Sequence, residues 1–69
     1  MNIRKAVDKS YENKTLRELV EAPVSALEGI SERQAQLLGE LGVRTIRDLG
    51  EWKFAARAQA INELAKLEA

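Results

Sequence analysis

The chain has 69 residues, with 11 Lys and Arg against 11 Asp and Glu, and it contains no cysteine and no histidine. That length sets one small domain with a marginal hydrophobic core. The missing cysteines exclude disulfides and thiol chemistry, and with histidine absent too, the usual zinc ligands and the usual neutral-pH general base are gone.

A net charge of zero argues against strong nucleic-acid binding, which normally brings a basic excess. No apolar run approaches the ~18–20 residues that a membrane span needs. The opening residues MNIRKAVDKSYENK lack the apolar stretch of a signal peptide. The expectation is a cytoplasmic protein without membrane contact. Richness in Leu, Ala, Glu and Arg with a single proline predicts an all-α fold.

Residues 1–14 are polar, with Ile3, Val7 and Tyr11 at spacing four. Two readings stand for them: a disordered N-terminal tail with a nascent turn, or a short helix that docks on the domain or on a partner. Residues 15–69 are expected to form the domain. Thr15-Leu16-Arg17-Glu18 fits a capping box, in which the Thr hydroxyl accepts from the amide three residues on and the Glu reaches back. Leu16, Leu19 and Val20 then share one face. Pro23 ends that helix and starts a short one to Leu27.

Gly29 permits a positive φ and a sharp turn. Ser31-Glu32-Arg33-Gln34 is a second capping box. Its helix is predicted to bury Ala35, Leu38 and Leu41, with Leu37 to one side, and to end at Gly42 in the left-handed region. Gly39 inside that helix costs about 1 kcal/mol against Ala, which a close helix–helix approach would offset. Thr45-Ile46-Arg47-Asp48 repeats the cap spacing and starts a helix with Ile46 and Leu49 inward, ending near Gly50. From Trp52 to about Leu67 runs the longest predicted helix. Phe54, Ala58, Ile61 and Ala65 recur at helical spacing as its inward face, with Leu64 alongside.

The stretch ALEGISERQAQLLGELGVRTIRDL, residues 26–49, resembles the helix-hairpin-helix superfamily. A short helix, a Gly-apolar turn, a helix with Ala and Leu inward, and then Gly42-Val43-Arg44-Thr45-Ile46-Arg47-Asp48-Leu49 carry the likeness. The region is also similar to the C-terminal domain of the RNA polymerase alpha subunit. The resemblance implies a compact bundle of about five short helices containing a helix-hairpin-helix motif. It implies DNA-backbone contact by Gly29, Ile30 and Ser31 at the turn, with Arg33 beside it and Arg44 and Arg47 on a neighbouring face. Members that bind DNA usually carry a second glycine where this chain has Ser31. Glu28 and Glu32 flank the turn and repel phosphate from amides that would otherwise attract it.

Two functions follow as expectations. The first is a non-enzymatic module that binds an unidentified protein partner, with Leu37 and Trp52 as contacts. The alternative is weak, sequence-non-specific DNA-backbone binding through the hairpin and the Arg44 and Arg47 region. Each candidate has a plain structural reading beside it: Trp52 and Phe54 as core or rim residues, and the arginines as ordinary solvated charge. Catalysis is not expected. Thr15, Ser31 and Thr45 are explained as caps, the Glu28 and Glu32 pair matches no recognisable site, and no phosphate or dinucleotide fingerprint is present. No cofactor or metal is expected.

Overall fold

A central stretch at residues 22–28 organises the fold. The computed structural model describes residues 2–68, and among them it is all-α, with no strand. The α-helices are α1 (Ile3–Ala6), α2 (Leu16–Val20), α3 (Glu32–Glu40), α4 (Ile46–Glu51) and α5 (Lys53–Ala65). Single 3₁₀ turns form at Lys9–Tyr11 and Val24–Ala26.

The three capping boxes start α2, α3 and α4. Thr15 accepts from the Glu18 amide at 3.1 Å while Glu18 accepts from the Thr15 amide at 2.9 Å. Ser31 and Gln34 repeat the exchange at 3.1 and 2.9 Å, as do Thr45 and Asp48 at 3.0 and 3.1 Å. Each box satisfies two backbone donors that a helix start would otherwise leave open. Gly42, just past α3, sits at φ +87°. It takes the left-handed cap conformation that spacing predicts.

The central stretch is pinned on both sides by backbone bonds from distant parts of the chain. On one side the Asp8 amide donates to the Ala26 carbonyl at 2.7 Å and the Glu28 amide to Ala6 at 3.0 Å. On the other, Val24 donates to Arg44 at 2.9 Å and Ile46 to Ala22 at 3.0 Å. Two isolated antiparallel bridges result, Val7 with Leu27 and Pro23 with Thr45. A stretch too short for a full helix thereby satisfies its main-chain groups. Residues 3–11 accordingly form α1 and a 3₁₀ turn, with Val7 buried against the body.

The core is small: Val7, Leu19, Ala22, Val24, Ala26 and Val43. Among the described residues every buried side chain is apolar, and no buried side-chain polar atom lacks a partner. Two helices differ from their expected burial. Leu41 caps α3 and is 65% exposed rather than inward, because the chain turns off at Gly42 before that side chain meets a neighbour. Gly39 has no close neighbour either, since a Cβ there would meet nothing within 4 Å. The helix–helix approach expected to offset its cost does not occur.

The larger difference is α5. Phe54, Ala58, Ile61, Leu64 and Ala65 were expected to face the core, but all are exposed, Ile61 at 66%. α5 meets the body at α4, and every residue at positions 56–68 is exposed. Its neighbour α4 ends one residue before it begins, and the extended backbone of Trp52 (φ −69°, ψ 110°) redirects the chain between them. The radius of gyration is 13.5 Å, with extents of 43 × 29 × 20 Å, against about 11 Å for a compact chain of this length. The excess length is α5 projecting from the body.

Candidate interaction surface

Two regions hold the residues singled out from sequence. The first is the turn at residues 27–30. Gly29 adopts φ +97°, and the Ile30 amide donates to the Leu27 carbonyl at 3.2 Å. Beyond it, both the hydroxyl and the amide of Ser31 are occupied by Gln34. Ser31 therefore acts as a cap and has no amide left to offer an anion. Glu28, Glu32 and Arg33 are all exposed around this turn.

The arginines near α4 are arranged differently. Arg47 is ion-paired with Glu21, so its charge is partly offset within the chain. Arg44 is exposed, and its backbone is held from two directions. Its amide donates to Asp48 at 3.0 Å and its carbonyl accepts from Val24. The backbone donors of Arg44 and Thr45 hold the Asp48 carboxyl below its ordinary value, against an opposing effect of desolvation. The Glu18 carboxyl is lowered in the same way, chiefly by the Thr15 amide. Both shifts belong to helix capping and mark no reactive group.

The second region is apolar. Leu37 is exposed and lines an open depression of about 310 Å³ with Ile30, Gln34 and Leu38. Trp52 is half-buried at the junction of α4 and α5. Its ring meets Phe54 edge to face, with centroids 5.9 Å apart at 83°, the geometry that aromatic quadrupoles favour. The Lys53 ammonium lies 5.2 Å from the centre of the Phe54 ring, within cation–π range. Beyond this pair, Ile61, Leu64 and Leu67 leave apolar surface open along α5.

Sequence reasoning missed one further feature. An apolar groove of about 330 Å³ runs between α1 and α2, lined by Ile3, Ala6, Leu16, Leu19, Leu27 and Ile46 among others. The spacing of Ile3 and Val7 and the shared face of Leu16, Leu19 and Val20 were its separate signals, and nothing local joins them. Among the described residues there is no cluster of three or more metal-ligating side chains, and no helix is long and apolar enough to cross a membrane. Comparison with family models, curated proteins and solved structures finds no match for this chain.

Proposed function

We propose that this chain is a small helix-hairpin-helix-like module that binds another protein through α5. The observation that carries the reading is the uncovered apolar face: Phe54, Ile61 and Leu64 are each more than half exposed on one helix. Soluble monomers rarely leave contiguous apolar surface open without a use for it, and helices presenting such a face commonly seat in a partner's groove or against another helix. Trp52 and Phe54 at the root of α5 supply the aromatic anchors that interfaces favour.

The test is affinity capture with the wild-type chain and with Ile61→Glu, followed by direct binding to each purified protein that the wild type retains. The reading expects Ile61→Glu to weaken that binding by at least about tenfold, as loss of a central anchor does. Equal binding by both forms would remove α5 as the contact.

A second reading, backbone contact with DNA, is favoured by the left-handed Gly29 turn and by the exposed Arg33 and Arg44. The Glu21 pairing of Arg47 works against it. An NMR titration with a short duplex at ~50 mM and ~200 mM salt separates the two readings, since phosphate contacts fade steeply with salt. Shifts at residues 29–34 and 44 that fade with salt would favour DNA. Their absence at low salt leaves the protein partner.

A further inference from the structure

We infer that the partner α5 is built to meet is α5 of a second copy, paired antiparallel. This inference rests on the interaction reading above and names its partner.

Arg57, Ile61, Leu64 and Glu68 follow one another at alternating steps of four and three along the last stretch of the chain. That is the spacing of a coiled-coil seam. The helix proper ends at Ala65, but the amides of Leu67 and Glu68 still donate to the carbonyls of Leu64 and Ala65 at 3.0 and 3.2 Å. These three-residue bonds carry the turn through Leu67, and Glu68 follows directly after it. Ile61 and Leu64 are both exposed on this seam. Among the described residues, Arg57 and Glu68 have no ion-pair partner within the chain, whereas Lys66 and Glu63 pair with each other at 3.1 Å.

The order of these residues selects the orientation. The midpoint between Ile61 and Leu64 is also the midpoint between Arg57 and Glu68. A two-fold axis at that point sets Ile61 against the second copy's Leu64, twice, and Arg57 against the second copy's Glu68, twice. Two apolar layers are thereby closed at each end by an opposite-charge layer. A parallel pair would set Arg57 against Arg57 and Glu68 against Glu68. Antiparallel pairing also opposes the two helix dipoles favourably. A two-fold arrangement closes on itself and leaves no surface for filament growth.

The size of the contact sets its strength. A 13-residue helix is about 20 Å long, so one helix pair buries well under the roughly 800 Å² per partner of a standard interface. The dimer is weak and reversible, formed by bodies that already have their own core.

Sedimentation equilibrium from ~20 µM to ~1 mM tests this, because association follows mass action. The wild type is expected to move from monomer toward dimer over that range. Ile61→Glu, at an exposed position that leaves the body intact, is expected to stay monomeric. Arg57→Glu and Glu68→Arg each place like charges in register and are expected to weaken the dimer about three- to tenfold, from the usual worth of such pairs. The double swap restores the opposite charges and is expected to recover the wild-type constant to within about twofold. Arg57 and Glu68 are eleven positions apart in one chain, too far to pair within it, and at ~0.5 M salt, where net-charge repulsion is screened, the recovery reads contact between copies. A monomer at the highest concentration, a dimer indifferent to Ile61→Glu, or a double swap as weak as its parents would overturn the inference.

A soluble nitroxide then separates this failure from that of the underlying reading. Strong relaxation of the Ile61 and Leu64 methyls in a persistent monomer removes self-pairing alone. Shielded methyls in that monomer show the face covered by its own chain, and both readings fall.

Discussion

The body at residues 3–51 and the helix α5 are made from similar residues and held in place by different means. The body has capping boxes at Thr15, Ser31 and Thr45 and a core around Val24 and Ala26, and distant backbone bonds tie it together. α5 has no side-chain N-cap, no acid in its first turn and no base in its last. It also has no buried residue. An amphipathic helix is stable in a fold chiefly through what its apolar face meets, so α5 is the longest helix of the chain and the least anchored. Position in the tertiary structure, more than composition, decides what a residue contributes.

The largest expected contrast puts one substitution in each region. Val24→Glu buries a carboxylate without a partner at a position 2% exposed. It is expected to cost more than about 4 kcal/mol and unfold a domain of this size. Ile61→Glu is expected to change monomer stability by no more than about 0.5 kcal/mol. Urea denaturation of both variants at low concentration reads the difference, and comparable losses would mean that α5 shares the core. Truncation repeats the contrast at smaller scale. Leu19→Ala is expected to cost about 2–5 kcal/mol, whereas Leu64→Ala on the open face is expected to stay within about 0.5 kcal/mol.

How far the sequence reveals this division depends on the range of the signal. The capping boxes are legible because their chemistry spans four residues and needs nothing from elsewhere in the chain. The left-handed glycines at 29 and 42 are legible for the same reason. The existence of α5 is legible in its periodicity, but its burial is not: a 3.6-residue period identifies an apolar face without saying what covers it. The core valines Val24 and Val43 escape a periodicity reading because each stands alone, outside the longer helices, whereas Val7 is visible only through its spacing with Ile3 and Tyr11. Their β-branched side chains, which favour extended backbone, were the available signal. At the candidate surface, Leu37 is named for lying beside the inward stripe of its helix and Trp52 for its residue type; the fold leaves Leu37 exposed and Trp52 half-buried. The pairing of Arg47 with Glu21 was invisible because it joins α4 to the residue that follows α2, far away in sequence.

Two glycines sharpen the account further. Gly29 has open space around it but a φ of +97°, so Gly29→Val meets backbone strain alone and is expected to cost about 1–3 kcal/mol. Gly39 is helical with open space and no positive φ. Gly39→Ala is therefore expected to stabilise by about 0.5–1 kcal/mol. Thermal melts of the two variants should move in opposite directions, and a destabilising Gly39→Ala would reveal a close approach at α3 that the fold does not contain.

The smallest effect is acid sensitivity of the caps. The folded-state carboxyls of Glu18 and Asp48 lie below their ordinary values of 4.5 and 3.8. Their stabilisation is complete above those values and is lost as pH falls through them toward the lowered folded values. Denaturation at about pH 6 and about pH 3 should show lower stability in acid, with the decline shallower in Glu18→Gln. An unchanged slope in that variant would remove the Glu18 cap from the explanation. α5 has no such carboxylate cap and is not expected to contribute to the decline through capping.

The most direct measurement is amide hydrogen exchange of the wild type at ~20 µM, where association is minimal. The amides of Val24 and Ile46, bonded across the body, are expected to exchange only through global unfolding. Those of α5 are expected to open at a cost of no more than about 1 kcal/mol, as uncovered helices do. α5 amides as slow as that of Val24 would contradict the account, because the helix would then be held by the core it is described as leaving.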